Sequence, residues 1–382
     1  MIQHADGPPE RPHGAHPSET PTAGRPSDLL SLPKPRAEAL LDAHFAARAV
    51  PAYRARQTLA WLYERDAASF DEMTDLPAIE RAALADAFEL GAAATASIAR
   101  SDDGTVKHLW RLRDGEMIES VLIPTADRLT LCISSQAGCA MACAFCATGW
   151  SGYRRHLSAG EIVAQYRGAR RWAAEAGLGR IRNIVFMGMG EPLANPKGVM
   201  PALTLLNRAY GLGARRITVS TVGVVPGILA LAARPEQFRL AVSLHAPNPQ
   251  LRSKLVPIER KYSMDRLFEA LHAFDAAGGK RITFEYVMLD EVNDEPAHAA
   301  ELAERVRPFH AHVNLIPYNA FPGAPWRAPS TARLRAFAAV LEREGIAATV
   351  REPRGRDIAA ACGQLRAEHE TAPPRALLPI LG

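Results

Sequence analysis

The sequence is short of the features that announce a function at a glance. It has five cysteines in 382 residues, an odd number at uneven spacing. That excludes the disulfide framework of a small secreted domain, which a chain long enough to bury a full core does not need. No uninterrupted apolar run is long enough to span a bilayer. The N-terminus lacks the basic-then-apolar pattern of a secretory leader. Net charge is only +4, which permits a polyanionic partner without demanding one. Reduced thiols in the cytoplasm, with no membrane partner, are therefore expected.

What is present is an ordinary globular composition, 48% hydrophobic and 23% charged, at a length that allows one large domain and a smaller one. Residues 1–35 hold eight prolines and almost no apolar pattern, so they read as a disordered tail. Residues 36–100 read as a small helical module. In "YRARQTLAWLYER", Leu59, Leu62 and Tyr63 share a face, and "SFDE" at 69–72 has the capping-box form of a helix start. Residues 101–366 form the main domain, and 367–382 a C-terminal tail. Basic residues cluster in "GYRRHL", "GARRW", "GARRI" and "REPRGRD". Each alone reads as solvated surface; together they favour a nucleic-acid substrate.

From about residue 105, short β-type runs alternate with helical stretches: "LTLCIS", "NIVFM", "RITVS", "RLAVSL", "RITFEYVML", "HVNLIP" and "ATVRE". This spacing predicts βαβ units and a parallel sheet, either doubly wound or an incomplete barrel. Both architectures place ligands at the carboxyl ends of the strands. Distinctive residues fall there: a cysteine loop after the first run, "GMGEP" after the second, "STVG" after the third, "SLHAPN" after the fourth and "PYN" after the sixth. Each is weak alone, and a lone His245 is more often structural. Their shared position is what points to one pocket.

The loop "CAMACAFCATG" spaces Cys139, Cys143 and Cys146 as C-x3-C-x2-C. Three thiolates hold zinc with a fourth ligand, for which His156 is available, or three irons of a cubane cluster. No second C-x2-C pair accompanies them, as structural zinc sites usually require. The spacing, with Phe145 before the last cysteine, is the signature of the radical S-adenosylmethionine (SAM) superfamily, in which SAM chelates the open iron of a 4Fe-4S cluster. The other two cysteines, Cys132 on the first strand and Cys362 beyond the seventh, read by themselves as small buried hydrophobes. A β/α fold can also bring them into one pocket, where paired thiols allow nucleophilic attack and disulfide resolution.

"TLCISSQAGCAMACAFCATG", "FMGMGEPLAN", "RRITVSTVGVVPGI", "LAVSLHAPNPQLRSKLVPI", "EYVMLDEVND", "HVNLIPYN" and "RGRDIAAACGQL" together resemble the RlmN family, over about residues 50–366. The resemblance implies a partial (β/α)6 barrel of the radical SAM type preceded by a small helical domain that contacts RNA. It implies a radical SAM methyltransferase acting on carbon 2 of one adenosine in 23S rRNA and one in tRNA. Cys139, Cys143 and Cys146 would hold the 4Fe-4S cluster. Gly190, Glu191, Ser220, Ser243, Leu244, His245 and Asn319 would line the SAM site. Cys362 would be methylated by one SAM, and a radical from a second SAM would take hydrogen from that S-methyl group. Addition to adenine would give a covalent protein–RNA adduct, with Glu119 as proton acceptor. Cys132 would resolve the adduct through a disulfide with Cys362. Without the resemblance, Glu119 reads as a surface carboxylate on a strand.

An electron donor such as flavodoxin or ferredoxin, and a monomer, complete these expectations. The related Cfr family, which methylates carbon 8, is the near alternative, and a zinc-stabilised, non-catalytic RNA-binding protein is the alternative of another class. The chain departs from the family pattern at Trp150, His156, Glu352 and Pro353, which bears on substrate contacts and not on the cluster or the cysteine pair.

Overall fold

The computed structural model describes residues 26–91, 93–278 and 281–366. One ten-stranded sheet organises the chain. We number its strands β1 (Ala93–Arg100), β2 (Val106–Leu112), β3 (Met117–Pro124), β4 (Leu129–Cys132), β5 (Ile181–Phe186), β6 (Ile217–Thr221), β7 (Arg239–Ser243), β8 (Ile282–Met288), β9 (Ala311–Pro317) and β10 (Ala347–Val350). They lie side by side in chain order. From β4 to β10 every pair is parallel. The six connections between them carry helices Ala159–Glu175, Pro196–Thr204, Val225–Ala232, Met264–Ala276, Pro296–Val306 and Thr331–Arg343. Six strand–helix units in simple succession make the incomplete barrel and exclude the doubly wound alternative, in which strand order reverses. With helices outside and the strands' other face inward, Val219, Leu240, Val242, Phe284, Tyr286 and Leu315 lose essentially all contact with water.

At the β4 edge, β1–β3 extend the sheet as an antiparallel meander. This revises the expectation that residues up to 100 are helical. Ala93–Arg100 is small and largely exposed, so it lacks the apolar alternation that marks a strand, and pairing with β2 decides its conformation. The expected helix start at 69–72 is likewise a single 3₁₀ turn, Phe70–Glu72, with no cap from Ser69. Glu72 accepts instead from the Ala68 amide. A true capping box forms at Ser158 and Glu161, where the helix Ala159–Glu175 begins.

Residues 27–35, expected in the tail, belong to the fold. Leu29 and Leu30 are fully buried, and Ser31 Oγ accepts from the Gly160 amide at 3.0 Å. Gly160 must lack a side chain, because a Cβ there would lie 2.2 Å from Asp28 Oδ2. Residues 1–25 and 367–382 of the two expected tails lie outside the described residues. The N-terminal helices Lys34–Ala47, Tyr53–Tyr63 and Ala78–Ala87 are fastened to the barrel at Asp66. That residue has positive φ (56°) and receives Arg167 and Arg170, while Arg167 also reaches the Ala67 carbonyl. Arg170, from a cluster read as basic surface, is thus partly a docking device.

Under the same helix, His108 is fully buried. It stacks on Trp110 at 5.2 Å and meets Trp172 edge-on, and neither ring nitrogen has a hydrogen-bond partner among the described residues. Burial lowers its pKa to about 4. A depressed histidine contributes stability above its unfolded pKa of about 6.5 that is lost as pH falls toward 4, up to roughly 3 kcal/mol. His108→Phe should therefore flatten the decline of urea stability between pH 6.5 and 4. An unchanged slope would assign that decline to other groups.

Candidate active site

The carboxyl ends of the parallel strands enclose one pocket, and a loop from the far end of the chain helps to close it. Gly190, Glu191, Ser220, Ser243, His245, Asn319, Cys146 and Cys362 all line it. Of the other expected residues, Leu244 is fully buried behind this wall. Cys139, Cys143, Cys132 and Glu119 are not among the residues that line it.

The wall is braced by its own polar groups. Glu191 Oε2 accepts from the Val222 amide at 2.8 Å and Oε1 from the Leu193 amide at 3.0 Å. It thereby ties the end of β5 to the end of β6, and burial raises its pKa to about 7. Gln136 accepts from the Glu191 amide at 2.8 Å through Oε1 and donates to His156 Nδ1 at 2.9 Å through Nε2. The glycines of "GMGEP" are explained by packing. A Cβ on Gly188 would lie 2.7 Å from the Ile133 backbone, and Gly190 combines φ of +98° with a Gln136 side chain 2.5 Å from the same position. Ser220 and Ser243 place their hydroxyls 3.4 Å apart on adjacent strands. His245 has positive φ (60°), accepts from the Val287 amide at 3.0 Å and meets Phe145 edge-on at 4.6 Å. Burial, then Arg252, lowers its pKa to about 3, so it is a neutral acceptor at working pH.

The cysteine loop follows the short strand Gln136–Gly138. It turns through positive φ at Ala142 (53°), and the Cys146 amide donates to the Cys143 carbonyl at 3.2 Å. Trp150, a departure from the family pattern, clamps it: its indole N–H donates to the Ala144 carbonyl at 2.8 Å, and its ring packs edge-on against Phe321. Among the described residues no three His, Cys, Asp or Glu side chains converge as a ready-made metal cage. The donor set nevertheless fits an iron–sulfur cluster. Burial, then the charges of Cys146 and Cys139, raises the Cys143 thiol far above its ordinary value, and burial pushes Cys139 to about 12. A cluster cation among the three sulfurs removes that penalty. Arg252, buried between Glu259 and the Val222 carbonyl, already opposes the rise at Cys143. His156 sits on the ribbon strand Tyr153–His156, its Nδ1 bonded to Gln136.

Cys362 reaches this end of the barrel because residues beyond β10 are lashed across it. The Ala147 amide donates to the Gly363 carbonyl at 2.8 Å, Thr148 Oγ1 to the Leu365 carbonyl at 2.6 Å, and Asn319 Nδ2 to the Cys362 carbonyl at 3.1 Å. Arg356, from a cluster read as basic surface, donates to Asn319 Oδ1 at 3.0 Å. Further back, Gly355 and Ser101 hold Asp103 and Asp357 respectively, joining this segment to the β1–β2 turn. Cys362 itself is exposed and Cys132 buried. Burial raises the Cys132 thiol well above its ordinary value, and the charge of Cys362 is the second cause, which puts the two sulfurs within electrostatic reach.

Glu119 is buried, not superficial. It shares a face of β3 with Val121, which pairs with Cys132 of β4. Lys107 of β2 pairs with Val121 from the other side, and its Nζ lies 2.9 Å from Glu119 Oε1. Sequence reading missed Lys107, Arg252, Gln136 and Glu285. Glu285 lines the pocket with Asn314 donating to it at 2.9 Å. Gln136, Arg252 and Glu285 lie inside the quoted motifs without standing out there, whereas Lys107 lies in none and only the strand register brings it in.

A partial parallel barrel with a three-cysteine loop after its first strand and a polar rim at its strand ends defines a radical SAM protein. Residues 133–303 match the family model described as the Radical SAM superfamily, and residues 32–90 match the one described as the ribosomal RNA large subunit methyltransferase N-terminal domain. The chain belongs to the RlmN family. It is 52% identical to a probable dual-specificity RNA methyltransferase RlmN from Gemmatimonas aurantiaca, covering 89% of this chain and 93% of that one. It is 47% identical to the dual-specificity RNA methyltransferase RlmN of an Anaeromyxobacter species, covering 94% and 96%. A crystal structure of a radical SAM methyltransferase from Sphaerobacter thermophilus superposes with a TM-score of 0.85 at 49% identity, over 90% of this chain and all of the other.

Proposed function

We propose that this protein methylates carbon 2 of an adenosine in 23S rRNA and in tRNA through a methyl group carried on Cys362. The observation that supports this reading is the return of the C-terminal loop to the pocket, where Cys362 is exposed among the lining residues and within electrostatic reach of the buried Cys132. A radical SAM enzyme that only abstracted hydrogen from a bound substrate has no use for such a pair. Cys139, Cys143 and Cys146 would hold the 4Fe-4S cluster, and the residues from Gly190 to Asn319 that line the pocket would hold SAM. When bound, the two supply a methyl group and a hydrogen-abstracting carbon radical, one SAM for each role.

The protein's own residues then do the following. Cys362 accepts a methyl group and presents it at the pocket mouth. Glu119, held beside Lys107, takes the proton from the adenine carbon that has been attacked. The Cys132 thiolate attacks the Cys362 sulfur, the bond from that sulfur to the methylene carbon breaks, the carbon takes up a proton on the released electron pair to complete the methyl group, and a disulfide remains. The ring carbon between two nitrogens is electrophilic, so direct methyl transfer fails there and a carbon radical on a thioether succeeds. The helical residues ahead of β1 are the RNA-contacting accessory part, and a small electron-transfer protein supplies the reducing electrons to a monomeric enzyme. Nuclease digestion of RNA treated with the reconstituted enzyme should yield 2-methyladenosine on chromatography. 8-Methyladenosine in its place would move the protein to the Cfr-like reading, and no methylated adenosine would end both.

A further inference from the structure

Lys107 touches both ends of the proposed chemistry. Its Nζ lies 2.9 Å from Glu119 Oε1, with the two side chains 17% and 4% exposed. The same Nζ donates at 3.4 Å to the carbonyl of Ala359, three residues before Cys362. On β2 and β3 the two residues are diagonal neighbours on one face, since Lys107 pairs with Val121 and Glu119 with Leu109. A lysine spanning a strand carboxylate and a loop carbonyl contributes little when solvated. Here the ammonium is largely enclosed, and the loop it reaches carries the reactive sulfur.

We propose that Lys107 is a positioning residue for adduct breakdown, a role that rests on the reading of Glu119 as proton acceptor. By holding the Glu119 carboxylate and the Cys362 loop at one point, it keeps base and methylene-bearing sulfur on the same side of the adenine. In the step it serves, one proton passes from the ring carbon to the carboxylate, the C–H electron pair stays in the ring, and the unpaired electron left by radical addition returns to the electron carrier that supplied it. Lys107 touches neither the ring nor the sulfur. It therefore acts on that step and not on methylation of Cys362, which precedes it.

The test uses the reconstituted full-length enzyme with RNA and SAM. Lys107→Met should form S-methylated Cys362 at the wild-type rate by peptide mass spectrometry, yet accumulate the protein–RNA adduct on denaturing gels and release product roughly 100-fold more slowly. Lys107→Arg should restore most of the release. The double variant with Glu119→Gln should be no slower than Glu119→Gln alone, because a residue acting through another adds nothing once that partner is gone. An additive double variant, or a Lys107→Met enzyme that fails at the methylation of Cys362, overturns the positioning role. Normal release by Glu119→Gln alone overturns the base assignment, and the lysine's role with it. A normally folded Lys107→Met with wild-type release overturns the lysine's role while leaving Glu119 in place.

Discussion

Cys362→Ser should lose RNA methylation entirely, by at least about 10⁴-fold in turnover, while keeping the brown colour of a cluster-loaded protein. A serine oxygen is a far weaker nucleophile than sulfur toward a methyl sulfonium, so the first methylation stops. The loop itself should survive the change. It is fixed by the Gly363 and Leu365 carbonyls and by the Cys362 carbonyl on Asn319, none of which involves the thiol. The decisive measurement is mass spectrometry of the Cys362 peptide after anaerobic incubation of the wild type with reductant and SAM. Recovery only as unmodified thiol would remove Cys362 from the mechanism.

Cys132→Ala should show the opposite kind of failure. Methylation of Cys362 and addition to adenine proceed, but the RNA stays covalently attached, giving a protein–RNA band on denaturing gels. Released methylated RNA at the wild-type rate would show that another group resolves the adduct. In the wild type, burial holds the Cys132 thiol above its ordinary value. The attacking thiolate is therefore scarce at neutral pH, and release should quicken as pH rises. The alanine variant should lack this acceleration.

These two cysteines also show how far the sequence reaches. The cysteine loop was legible because three ligands of one kind within eight positions leave few chemical alternatives. The parallel sheet was legible because β-type runs alternate with helical period, and six such units constrain topology strongly. The strand-end motifs from Gly190 to Asn319 followed from the rule that ligands sit at that end. Less was legible wherever a residue's role depends on a neighbour distant in the chain. Ala93–Arg100 carries no strand pattern and becomes a strand by pairing. The SFDE tetrapeptide has a helix-start pattern and makes only one 3₁₀ turn. Arg170 and Arg356 looked like surface charge and turned out to hold Asp66 and Asn319.

The sequence by itself determined the cysteine loop, the alternation of strands and helices and the family, because each is written in local spacing and residue type. Only the tertiary structure decided why the "GMGEP" glycines must be glycine, which neighbours Glu119 has, and how residues beyond β10 return to the first strand. The physical reason is that these rest on strand register and on hydrogen bonds between segments far apart in the chain. A shift of one residue in the β2–β3 register would send Lys107 to the opposite face from Glu119, and no local pattern records that choice.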